Sequence, residues 1–113
     1  MLINKKDIAR INQEIGGNGQ FQNESSLDFA LSIIKQKKSW LYELSYLLRG
    51  LLVDHAFQDG NKRTALIIAI TYLEDRDLEY DKESIIKIIW EISKKNVKDI
   101  NKITRMIKSA IVF

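Results

Sequence analysis

The run SWLYELSYLLRGLLVD, residues 39–54, decides the fold. Its leucines at 44, 47, 48, 51 and 52 recur at three- and four-residue spacing. In a helix that spacing gathers them on one broad face, whereas a strand would divide them between two. Ser39 stands where a side-chain oxygen caps a helix start, and the helix is expected to run to about Asp54. A leucine face that wide must be buried, so this helix is the centre of the scaffold.

Working outward, the apolar residues keep helical spacing and no proline interrupts them. Upstream, a helix is expected from about Lys5 to Glu14, with Ile8, Ile11 and Ile15 on one face, ending where Gly16 and Gly17 remove the helical preference. The stretch GGNGQFQNE, residues 16–24, has the glycines and amides of an exposed loop or short hairpin. Ser26 is then positioned to cap a helix reaching about Lys37. Downstream, HAFQDG, residues 55–60, reads as a loop, followed by a helix from Asn61 to about Glu74 with Leu66, Ile67, Ile70 and Leu73 turned inward. Asp81 and Ser84 open a further isoleucine-rich helix containing Trp90, and Asp99 opens a last one carrying Ile100, Ile103, Ile107 and Ile111. The expectation is an all-α fold: one compact helical bundle spanning residues 1–113 as a single domain, with a short flap loop or hairpin before the central helix.

Composition sets bounds on function. A chain of 113 residues is long enough for one hydrophobic core and too short for two ordinary domains. The longest apolar stretch, Ala65 to Ile70, falls far below the roughly 18 residues that span a bilayer, and no signal-like segment opens the chain, so a cytoplasmic protein is expected. With no cysteine there is neither a disulfide framework nor a zinc–sulfur site, and a metal must use oxygen or imidazole ligands. The net charge of +3, from 18 basic and 15 acidic residues, is weak beside that of dedicated nucleic-acid binders. Lys94, Lys95, Lys98, Lys102, Arg105 and Lys108 spread along a solvated surface at helical spacing, so no direct nucleic-acid binding is expected.

The chemistry is concentrated in HAFQDGNKR, residues 55–63. A helix starting near Asn61 offers unpaired backbone N–H groups and the positive end of its dipole, and Gly60 lets an anion approach without a Cβ in the way. Lys62 and Arg63 are cations at the helix end that disfavours them, which makes sense if a polyphosphate sits there. Asp59 is placed to hold a magnesium ion bridging two phosphate groups, and Asn61 to add a neutral hydrogen bond to a phosphate oxygen. His55, the only histidine, suits a general base acting on an attacking hydroxyl. Phe57 is expected to anchor the loop in the core. Taken singly, each residue reads as an ordinary turn, surface or helix-end residue; the joint arrangement points to chemistry.

That arrangement resembles the Fic/Doc, or Fido, signature HxFx(D/E)GN(K/G)R at every specified position, and Thr64 and Ala65 continue the NKRTA run of the Doc-like branch. The resemblance implies a Fido-type helical core and a nucleotide-dependent transferase acting on a protein hydroxyl, with ATP or another nucleoside triphosphate and Mg²⁺. It implies the general base at His55, the magnesium ligand at Asp59 and the phosphate nest at Gly60, Asn61, Lys62 and Arg63. A flap ahead of the motif aligns the target segment in the family, often by strand-like pairing, and Gly19, Gln20, Phe21 and Gln22 are the matching stretch; a plain surface loop is the other reading.

The chain departs from the family in ways that bear on the reaction. Ala56 stands where many relatives have proline. AMP-transferring relatives typically carry glycine where this chain has Lys62, and a second arginine where it has Leu66; Doc shares the lysine and lacks the second arginine, but has alanine where this chain has Gly60. An inhibitory (S/T)xxxE(G/N) segment is approached only by Ser39 to Glu43, where Leu44 follows the glutamate, so that segment reads as scaffold. The leading expectation is Doc-like phosphorylation of a translation-related protein by the toxin of a toxin–antitoxin pair, controlled by a separate antitoxin. The alternatives are AMP transfer to a protein hydroxyl and a non-catalytic Fido interaction module.

Overall fold

The computed structural model describes residues 3–36 and 39–112. Six helices follow in order: α1 (Lys5–Glu14), α2 (Glu24–Lys35), α3 (Trp40–Leu52), α4 (Asn61–Asp75), α5 (Lys82–Lys95) and α6 (Ile100–Ser109). Helix α3 is central and packs against α2, α4, α5 and α6. Its Leu44, Leu47, Leu48, Leu51 and Leu52 are all buried, and Ser39 Oγ accepts from the Tyr42 N–H at its start. Asp81 and Asp99 cap α5 and α6 in the same way. The bundle is all-helical as expected, apart from one short two-stranded ribbon. No described helix is long and apolar enough to cross a membrane. Lys94, Lys95, Lys98, Lys102, Arg105 and Lys108 all lie exposed.

The start of α2 differs from expectation. It begins at Glu24 behind Asn23, and Ser26 lies inside its first turn. Asn23 is fixed there by its N–H bond to the Ala56 carbonyl, so the chain is already committed to a helix before Ser26. The Ser26 hydroxyl donates to the Asn23 carbonyl at 2.8 Å and lies 3.3 Å from that of Gly50, joining α2 to α3. Its expected end, Lys37, lies outside the described residues.

Helix α4 is rotated from its expected face. Thr64, Ala65, Ile68, Ala69, Tyr72 and Leu73 are buried, while Leu66 and Ile70 are half-buried and Ile67 is exposed. Ala65 and Ala69 let α4 lie close against α3, and Thr64 is held by a buried side chain of α1. Close backbone approach over small residues outweighs turning every large aliphatic inward. Farther along, burial pushes the Tyr72 hydroxyl up to about 12, with the Glu43 carboxylate adding to the shift and Arg76 opposing it.

The ribbon pairs β1 (Glu79–Tyr80) with β2 (Ile111–Val112) in antiparallel register, Glu79 opposite Val112 and Tyr80 opposite Ile111. Ile111 was expected on the last helix, but α6 ends at Ser109 and Ile111 is buried from the strand instead. The Asp81 N–H also reaches the Ala110 carbonyl at 2.9 Å, so the ribbon ties the start of α5 to the end of α6.

Candidate active site

Helix α3 ends in a sharp reversal at His55, which takes φ 52°, a left-handed conformation that side chains other than glycine seldom adopt. The Ala56 N–H then reaches back to the Gly50 carbonyl at 3.2 Å. His55 is exposed and lines a cavity of about 670 Å³, within the range of roughly 300–1,000 Å³ common for small-molecule sites. The same cavity is lined by Asp59, by the first turn of α4 from Gly60 to Arg63, and by Leu66.

Between His55 and α4 the loop is locked from two sides. Phe57 is fully buried and stacks on Phe21 with ring centroids 4.9 Å apart. The backbone of the flap segment pairs with the loop: Phe21 forms an antiparallel bridge with Phe57, Gln22 N–H donates to Ala56, and Gln58 N–H donates to Gln20. Backbone groups alternate along a strand, so Phe21 N–H and C=O lie on the opposite, outer edge. From inside, the Asn61 side chain clasps Phe57 twice, accepting from its N–H at 3.0 Å and donating to its carbonyl at 2.9 Å. Oδ1 and one Nδ2 hydrogen of that amide are therefore engaged with the loop, which fixes the side chain, while the second Nδ2 hydrogen has no partner among the described residues and the backbone N–H of Asn61 opens the helix start.

Gly60 precedes α4 with φ +73°, and a Cβ there would come within 2.9 Å of the Asn12 amide. The first helical bond of α4 runs from Thr64 N–H to the Gly60 carbonyl, so the N–H groups of Asn61, Lys62 and Arg63 have no partner within the helix. The Asp59 side chain is exposed beside them, and its carboxylate accepts from the Asn18 N–H at 3.4 Å. Arg63 reaches the Ile15 carbonyl at the end of α1 at 3.4 Å. Lys62 turns away, its Nζ lying 4.2 Å from the centre of the Trp90 ring on α5.

Two components went unnoticed in the sequence. Asn12 is fully buried; its Nδ2 donates to the Asp59 carbonyl at 2.9 Å and the Thr64 hydroxyl at 3.1 Å, while Oδ1 accepts from Gly19 N–H at 2.9 Å. One side chain thus joins α1, the flap, the motif loop and α4. Its signal was present: four residues after Ile8, it sits on the buried stripe of α1, where a polar group needs partners. The second component is the face of α5 formed by Ile86, Ile89, Trp90 and Ser93, which closes the cavity opposite α4.

A left-handed glycine leading into a helix start, two cations in its first turn, a carboxylate beside it and a histidine all line one cavity, an arrangement whose chemistry suits a polyphosphate. The Fic/DOC family model matches residues 2–73, and the chain belongs to that family, whose members are typically transferases that use nucleoside triphosphates to modify proteins. No curated protein matches the chain. The matched segment carries His55, Asp59 and the nest, whereas α5 lies beyond it.

Proposed function

We propose that the protein transfers the terminal phosphoryl group of a nucleoside triphosphate, ATP in the first instance, to a serine or threonine hydroxyl of another protein. The observation that carries this reading is that His55, Asp59 and the open N–H groups of α4 line one cavity. His55 takes the proton of the attacking hydroxyl, whose oxygen bonds to the terminal phosphorus. The bond from that phosphorus to the bridging oxygen breaks, and the nucleoside diphosphate leaves. Backbone N–H groups of residues 61–63, with Lys62 and Arg63, stabilise the negative charge gathering on the phosphoryl oxygens.

Asp59 fits a magnesium ion: it is a single exposed carboxylate beside the nest, and magnesium keeps several waters and phosphate oxygens among its ligands. When bound, the ion would neutralise charge shared by the two outer phosphates. The outer edge of Phe21, with Gly19, Gln20 and Gln22 holding it in place, docks the target segment by strand-like pairing.

Two side chains favour phosphoryl over nucleotidyl transfer. Leu66 lines the cavity where AMP-transferring relatives carry a second arginine, and Lys62 stands where they carry glycine. The same likeness to Doc supports a cytoplasmic toxin acting on a translation factor and restrained by a separate antitoxin. Gly60 favours the second reading, AMP transfer. The test is incubation of the protein and a cytosolic extract with magnesium and ATP labelled at the γ- or the α-phosphate, beside His55→Ala. Label in a protein band from the γ position only, lost in the variant, supports phosphorylation; label from the α position replaces it with AMP transfer. A cellular effect that survives His55→Ala unchanged would instead favour a non-catalytic interaction module.

A further inference from the structure

Helix α5 buries Ile85, Ile88, Ile89 and Ile92, a complete apolar stripe at helical spacing, and so has no packing need for a large aromatic beyond it. Yet Trp90 stands beside that stripe, 56% exposed, on the cavity wall. The ammonium of Lys62 lies over its ring, 4.2 Å from the centroid, and Lys62 belongs to the first turn of α4, the proposed anion nest. The indole therefore lies within one lysine side chain of the phosphate position, a reach comparable to that of a ribose. Around it the wall is apolar, from Ile86, Ile89 and Leu66, with the Ser93 hydroxyl three residues along the helix as its polar group.

We propose that Trp90 is the nucleobase platform of this site. When a triphosphate occupies the start of α4, the Lys62 ammonium leaves the indole for the phosphate oxygens, because a charge-assisted bond to an anion is stronger than an exposed cation–π contact. The uncovered ring then stacks with the base, and Ser93 Oγ reaches the base edge. Stacking strength grows with ring area, so the platform selects purine over pyrimidine nucleotides. This rests on reading the first turn of α4 as a polyphosphate site, and the test separates the two ideas.

The experiment is calorimetric titration of the wild-type protein, Trp90→Ala and Trp90→Phe with magnesium and either ATP, CTP or inorganic tripolyphosphate. An exposed position tolerates either substitution without loss of fold. Trp90→Ala is expected to weaken ATP about tenfold or more, to erase the ATP-over-CTP preference, and to leave tripolyphosphate within about twofold; Trp90→Phe keeps most of the ATP affinity. Unchanged ATP affinity in Trp90→Ala overturns the proposal, as does an equal loss for ATP and tripolyphosphate, which would mean that Trp90 acts only through Lys62. A wild-type protein that binds neither ligand removes the polyphosphate site and the platform together.

Discussion

The two walls of the cavity are built from different material. On the α4 side the proposed binding groups are mostly backbone N–H groups, and the side chains around them hold that backbone still: Asn61 clasps Phe57, Asn12 ties four segments, and Gly60 supplies a conformation and a gap. On the α5 side the backbone is an ordinary capped helix, and side chains alone, Ile86, Ile89, Trp90 and Ser93, face the cavity. The first wall cannot change one residue without moving several others. The second can change a side chain and keep its shape. This matches where the family likeness ends, since the first wall lies within residues 2–73 and the second beyond them. On the proposed reading, a site divided this way would keep its chemistry in the rigid part and leave base preference to side chains of α5.

Three substitutions test that contrast. The largest effect is expected from His55→Gly, which should lower the transfer rate by about 10²–10⁴-fold while raising stability by about 1 kcal/mol, because glycine adopts φ 52° without strain. Rate assays beside a urea denaturation curve check both signs; a variant that is inactive but also less stable would mean that the imidazole holds the loop as well as serving it. Next comes Asn12→Ala. It leaves the Asp59 carbonyl and the Gly19 N–H without their partner and should cost about 2 kcal/mol, with nucleotide binding weakened in the same variant. Thermal unfolding with and without ATP would expose a purely structural role, in which stability falls but the ligand-induced rise in Tm stays as large as in the wild type. The smallest effect is expected from Ser93→Ala on the second wall. Stability should stay within about 0.5 kcal/mol of the wild type, and ATP affinity alone should fall by a few-fold. A loss of stability as large as that of Asn12→Ala would erase the distinction between the walls.

What the sequence revealed follows the range of the forces involved. Helix α3 and its cap at Ser39, with the caps at Asp81 and Asp99, were legible because spacing and capping act within a few residues. The rotation of α4 was not, because Ala65 and Ala69 matter only once α3 is beside them. The residues of the motif were legible as a set, but not what Asn61 does with its amide, since Phe57 competes for it four residues away. Asn12 acts on Asp59 and Thr64, which are 47 and 52 residues distant along the chain, and no local pattern carries that pairing. Trp90 was visible as an aromatic on a helix, yet its exposure depends on how α5 is turned against the bundle. A ribbon of two-residue strands is too short for any alternation to register.

That ribbon has a consequence for how the molecule opens. By joining Glu79–Tyr80 to Ile111–Val112 it stitches the beginning of α5 to the end of α6, so neither helix can leave the bundle without breaking the same few hydrogen bonds. In amide hydrogen exchange the two helices should therefore lose protection together, as one cooperative unit, and the indole of Trp90 would be presented by that unit.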